Sequence, residues 1–346
     1  MKHRTVSTII LSLMLIFTGM AGACTSSEPD EAIANDPIIT GVQGLPSVEV
    51  NVGSMRGPSS IGLVNFMETA ETQPASLQNS YHFTVAGTAD ELVPQLANGS
   101  MDIALLPANL AATLYNKTEG AIQVFGINAL GVLYVVSADE SVVDMQSLAG
   151  RTVLIMGMGT TPDYVFNYLL EQNGLSGQVE LDFKSEATEV AALLVADPQA
   201  IAVLPEPYVS SLSLQNPDIT AAISLTEVWR ENAERNGLNS ELVTVVAVVR
   251  TEFALEHPEV IQEFIEQQTL SVKEANNNPA ATAELIVKRG IIDNAQIAEQ
   301  AITRSNVVCI TGSDMRQALE GYLEVLYQFN PESVGGSMPE AAFYLK

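Results

Sequence analysis

Cysteine is almost missing from this 346-residue chain: Cys24 and Cys309 are the only two. That excludes a disulfide framework and any site built from a cysteine cluster. Histidine is as scarce, with His3, His82 and His257. No pair stands at metal-ligand spacing, and no P-loop or nucleophile elbow occurs. Basic residues number 15 against 41 acidic ones, a formal charge of −26. Such a surface repels nucleic-acid phosphates, which excludes that class of partner. Charge as a whole is thin, 16% of residues against 47% hydrophobic, so a large core can form and global disorder is excluded. The length suggests two domains.

The apolar run "STIILSLMLIFTGM" is of signal-peptide length and short for a membrane span. Lys2 and Arg4 before it form a basic n-region, so residues 1–23 read as a signal peptide. "AGAC" then resembles a bacterial lipobox, with Ala21 standing where Leu is usual. The resemblance implies cleavage before Cys24, acylation of that cysteine, and an extracytoplasmic protein anchored to the cell membrane. The alternatives are an ordinary secretory signal with Cys24 as an incidental thiol, or a Cys24–Cys309 disulfide. Cys309 sits among apolar neighbours in "NVVCITG" and reads as a small buried hydrophobe. Residues 24–44, small, acidic and Pro-containing, read as a flexible tether.

From about residue 46 strand-like and helix-like segments alternate. "SVEVNVGSM", "YHFTVAG", "MDIALLP" and "IQVFGINA" are expected strands. "IGLVNFMETA", "TADELVPQLANG" and "ANLAATLYN" are expected helices, the second with Thr88 and Glu91 spaced as a capping box. The order then recurs in "RTVLIMGMGTTPDYVFNYLLEQNG", "VELDFKS", "EATEVAALLVADP" and "QAIAVLPEPYVSSL". "DIALLPANLAATL" lies over "AIAVLPEPYVSSL", which sets Ile103, Ala104, Leu106 and Pro107 on Ile201, Ala202, Leu204 and Pro205. The Gly turns at Gly57 and Gly159 correspond with a short shift. Two related α/β lobes follow, at 45–135 and 136–243. "GVLYVVSAD" and "LVTVVAVVRT" are the expected crossovers between them. Residues 244–346 carry the second crossover and helices that return to the first lobe.

"RGPSSIGLVNFME", "DIALLPANLAATLYN", "GVLYVV", "GTTPDYVFNYLLEQNG", "AVLPEPYV" and "PESVGG" together resemble solute-binding proteins of ABC importers. The resemblance is to the nitrate-, sulfonate- and thiamine-precursor-binding branch, the NMT1/THI5-like and SsuA-like group. It implies an α/β fold of the type II periplasmic-binding-protein kind, with two doubly wound lobes joined by two crossover strands. It further implies a monomer that traps a small solute by hinge closure and delivers it to a membrane permease and its ATPase. No cofactor, metal or catalytic residue is expected.

Ligands of doubly wound sheets bind outside the carboxyl ends of the strands, which selects the turns. In "MRGPSS", Gly57 permits a tight bend and Pro58 suits the first helical position. The N–H groups of Ser59, Ser60 and Ile61 are then expected to be free for an anion, with the two serine hydroxyls as further donors and Arg56 as the charge. Gly159, Thr160 and Thr161 repeat the device before Pro162. Tyr164 offers an aromatic face, and Asp163 reads as a partner of its own helix dipole. At the strand ends, Asn109 offers a donor and an acceptor. Glu206, held between two prolines, reads equally as a ligand carboxylate contact or as a helix cap. Tyr208 packs over the ligand or fills the helix–sheet seam. Trp229, the only tryptophan, is a cleft wall or a loop anchor. Met55, Met156 and Met158 flank the Gly turns, and core filling is their commoner role. Amide donors and Glu206 together suit an anionic or zwitterionic solute or a polar heterocycle. Other readings are a protein that binds or makes the thiamine pyrimidine precursor and a surface sensor of the same fold. The lack of a histidine and cysteine cluster disfavours the enzyme.

Overall fold

The computed structural model describes residues 46–346, so the leader, Cys24 and the tether at 24–44 lie outside the described residues. Alternation around the buried Val50 and Val52 gives β1 (Glu49–Met55). It is followed by a four-residue α1 (Pro58–Ile61), α2 (Val64–Thr72), β2 (Ser80–Ala86), α3 (Val93–Ala97), β3 (Ile103–Pro107), α4 (Ala108–Lys117) and β4 (Ile122–Leu130). The second series is β5 (Leu133–Ser137), β6 (Thr152–Met156), α5 (Thr161–Gln172), β7 (Glu180–Lys184), α6 (Ala187–Ala196), β8 (Ile201–Pro205), α7 (Tyr208–Gln215), β9 (Thr220–Ser224) and α8 (Leu225–Arg235). Then come β10 (Val243–Arg250), α9 (Thr251–Glu256), α10 (Pro258–Asn277), α11 (Pro279–Lys288), α12 (Ala295–Arg304), β11 (Val307–Ile310) and α13 (Gly312–Phe329).

The strands form two sheets, ordered β11-β4-β10-β3-β1-β2 and β7-β6-β8-β5-β9. Each sheet is mostly parallel and takes in one antiparallel strand from a crossover. β10 runs antiparallel between β3 and β4, and β5 runs antiparallel between β8 and β9. β11 adds an antiparallel edge to the first sheet. The internal repeat survives at residue level. Val52 and Gly53 face Ile103 and Ala104 in one sheet, and Val153 and Leu154 face Ile201 and Ala202 in the other. β3 and β8 are buried along four of their five residues, because helices cover both faces of each sheet.

Three local expectations change. The helix expected from Ile61 is broken at Gly62–Leu63, where a Cβ on Gly62 would crowd the Asn128 side-chain oxygen. The helix expected at 88–99 becomes a 3-10 turn at Ala89–Glu91 followed by α3. Its capping box does form, with the Glu91 carboxylate accepting from the Thr88 amide at 3.0 Å. β9 and β11 were not anticipated. Each is short, and β9 is only half-buried.

Core aromatics hold the helices to the sheets. Phe66 of α2 meets Tyr81, Phe83 and Phe264 edge-on, at centroid distances of 4.8, 5.1 and 5.6 Å. α10, α11 and α12 pack with α1 and α2 on the first lobe through Ala275, Ile286, Ala298 and Ile302. α13 lies beside both lobes, with Tyr322 against Trp229 at 5.7 Å. No helix among the described residues is long and apolar enough to cross a membrane.

Candidate functional site

The strand directions place the site. β4 runs into the first crossover at Gly131 and is parallel to β1, β2 and β3, so the carboxyl ends of these strands point toward the junction between the sheets. β5 leaves the junction and runs antiparallel to β8 and β9, so β6, β7, β8 and β9 also end there. The turns after β1, β3, β6, β7 and β8 therefore gather at one shared face between two lobes.

The first-lobe turn is more self-contained than expected. Gly57 takes the left-handed conformation at φ 92°, but the amides of Ser60 and Ile61 donate back to the Gly57 carbonyl at 3.0 and 3.2 Å. The Ser59 and Ser60 hydroxyls donate to the Met55 carbonyl at 2.7 and 2.6 Å. Ser59 Oγ also accepts from the Met55 amide, and Ser60 Oγ lies 2.7 Å from Ser54 Oγ. Both serines are buried. The expected free amides at 60 and 61 and free hydroxyls at 59 and 60 are thus corrected: a one-turn helix closes on its own strand end. Asn128 fixes this corner from β4, donating to the Ser59 carbonyl at 3.0 Å while Gln268 donates to its side-chain oxygen. Arg56 is exposed and forms no ion pair with a described residue. Asn109 sits half-buried in the first turn of α4.

The second-lobe turn also folds inward. The Thr160 hydroxyl donates to the Gly157 carbonyl, and the Gly159 amide donates to the Asp163 carboxylate at 2.8 Å. Asp163 thus acts as its own helix's dipole partner. The Tyr164 hydroxyl donates to the Gly159 carbonyl and accepts from Asn330 at 2.8 Å. Gly159 and Thr160 are exposed, Thr161 is half-buried, and Met158 projects into solvent at 70% exposure rather than filling the core.

Glu206 lies at the carboxyl end of β8 and is buried. It caps α7, accepting from the Ser210 amide at 3.2 Å and the Ser210 hydroxyl at 3.0 Å. Its backbone amide donates to Val132 of the first crossover at 3.0 Å. Burial pushes its carboxyl above the ordinary range, while the Ser210 donors and Arg304, at 3.7 Å, pull it back. Tyr208 packs against the helix–sheet seam of the second lobe. Trp229 is 1% exposed. Its indole N–H donates to Ser240 at 3.2 Å, and its ring lies between Tyr168 and Tyr322. The tryptophan is a core anchor beside the second crossover, which corrects its candidacy as a cleft wall.

The crossovers carry residues that sequence reasoning missed. A Cβ on Gly131 would collide with Thr226 Oγ1 and Leu242, so glycine is required where the two crossovers pass each other. Gly321 of α13 gives Ser240 the same clearance. Asn306, at φ 44°, donates to the Gly131 carbonyl at 2.6 Å. Nothing in the local sequence marks these residues, because their partners lie across the fold.

Two doubly wound lobes of this strand order, hinged by two strands with their turns facing, define the type II periplasmic-binding-protein fold. Solved structures with this arrangement include an ABC transporter protein from Parabacteroides distasonis. It is 24% identical, with a TM-score of 0.72 over 86% of this chain and 98% of that one. They also include the periplasmic aliphatic sulphonate binding protein SsuA from Escherichia coli, at 12% identity and a TM-score of 0.65 over 86% and 94%. The alkanesulfonate-binding protein SsuA from Xanthomonas axonopodis, bound to MOPS, aligns at 11% identity and 0.52 over 84% and 94%. No family model and no curated protein sequence matches the chain.

Proposed function

We propose that the chain is the extracytoplasmic solute-binding component of an ABC importer, a binding protein rather than an enzyme. It would be tethered through acylated Cys24, work as a monomer and hand its solute to a membrane permease and its ATPase. The observation that carries this reading is the convergence of strand-end turns from both lobes on one face across two crossovers, a geometry suited to capture by closure. The structural neighbours include two sulfonate-binding proteins, which supports the same reading.

Arg56, exposed at the end of β1 and without an ion-pair partner among the described residues, suits the acidic end of a carboxylate, sulfonate or zwitterion. Asn109, Tyr208, Tyr164 and the backbone of 57–59 and 159–161 would complete the contacts. The acidic surface does not forbid an anion, because exposed charges are screened beyond about 8 Å at physiological salt. A thermal-shift panel of alkanesulfonates, nitrate, carboxylates, amino acids and pyrimidines tests the reading. A true ligand raises Tm as ln(1 + [L]/Kd), and Arg56→Met should weaken that response at least tenfold in concentration if the ligand is anionic. No response to any class would contradict the reading.

A further inference from the structure

The corner between α12 and β11 holds the two lobes together beside the hinge. α12 belongs to the first lobe: Ala298, Ala301 and Ile302 are buried in that lobe's core with Ile61, Val64 and Ile286. Its last residue, Arg304, reaches out of that lobe. The guanidinium donates to Ser210 Oγ of α7 at 3.2 Å and lies 3.7 Å from the Glu206 carboxylate. The carbonyl of Arg304 accepts from the hydroxyl of Tyr134 on β5 at 2.7 Å. Two residues on, Asn306 holds the hinge itself, its side chain on the Gly131 carbonyl and its own carbonyl on the Leu130 amide at 3.0 Å. Glu206 and Ser210 belong to the second lobe, Tyr134 lies on the crossover strand β5 in the second sheet, and all three are buried.

We propose that Arg304 is an interlobe latch: its pairing with Glu206 and Ser210 holds the lobes in the arrangement of this structure before any solute arrives and so sets how much rearrangement the solute must drive. The inference rests on the capture reading and names the control of that same cleft. Its physical basis is the environment of Glu206. An ionised carboxylate with a fully buried side chain is costly unless a cation and hydrogen-bond donors stand beside it. Ser210 is on its own helix and moves with it, whereas Arg304 is on the other lobe. Separating the lobes therefore strips the buried carboxylate of its cation, which opposes opening. A population bias of this kind changes apparent solute affinity without a contact to the solute.

The latch is tested without solute. β2 and β7 are the strands farthest from the crossovers, so labels just beyond them, at exposed Asp90 and Ser185, move most when the lobes part. The full chain carrying C24S, C309S, D90C and S185C is spin-labelled, and the distance distribution is measured by pulsed dipolar spectroscopy. The parent should show one short population. Arg304→Met and Glu206→Gln should each add a longer one, with cooperative unfolding retained. The same short distribution in the folded variants would overturn the latch. Should Arg304→Met not fold, the near-isosteric Glu206→Gln decides. The readout needs no ligand, so failure to find a solute leaves the latch standing, and failure of the latch leaves capture standing.

Discussion

Single residues carry most of the surprises. Arg151 and Ser141 hold Asp139 at the far end of the second lobe, with Arg151 Nη1 at 2.5 Å and Ser141 Oγ at 2.6 Å. The Ser141 hydroxyl and then Arg151 pull the Asp139 carboxyl down from the ordinary 3.8 to about 2. A depressed carboxyl favours the fold while it is ionised. Its contribution is complete above about pH 4 and is lost as the pH falls toward 2. In Arg151→Met the Asp139 titration, read from its carboxyl carbon by NMR, should move up toward 3.8, and stability should respond less to acid between those values. Gly131→Ala places a methyl against Thr226 and Leu242; overpacking of that kind costs about 1–3 kcal/mol, which urea unfolding would report. The sequence names Gly57 and Gly159 by their local turns, but it is silent on Gly131, whose need for a bare Cα comes from Leu242 across the hinge.

Among the elements, α1 changes the account most. "RGPSS" announces a turn into a helix, and a helix forms. The sequence does not reveal that it stops after one turn. The Met55 carbonyl at the end of β1 accepts from both the Ser59 and the Ser60 hydroxyl. Bulky replacements at these serines should therefore damage the fold before they report on binding. Ser60→Leu is expected to lower stability by about 1–3 kcal/mol through overpacking and the loss of its buried hydrogen bonds to Met55 and Ser54, measured by denaturant unfolding. The same logic applies to α8. Whether Trp229 faces a cleft or the core depends on Tyr168, Tyr322 and Ser240, which lie 61, 93 and 11 positions away in the chain. Trp229→Ala should cost about 3–5 kcal/mol and loosen the second crossover.

At the scale of the whole molecule, the architecture was legible because it is written twice. The matched "DIALLP" and "AIAVLP" segments occupy equivalent central strands, and the two Val-rich crossovers each enter the opposite sheet as the antiparallel strand. Periodicity and repetition reach that far. The balance of charge at the cleft was not legible, because it depends on which groups the fold pairs internally. Asp163 takes the Gly159 amide, Glu206 takes Ser210 and Arg304, and Arg56 is left without a partner among the described residues. Capture between the lobes is the central proposal. Hydrogen–deuterium exchange with the solute giving the largest thermal shift tests it most directly. Protection should appear together in residues 55–61 and 107–110 of one lobe and 157–164 and 205–208 of the other. Protection confined to a single lobe, or found only at the opposite ends of the strands, would contradict it.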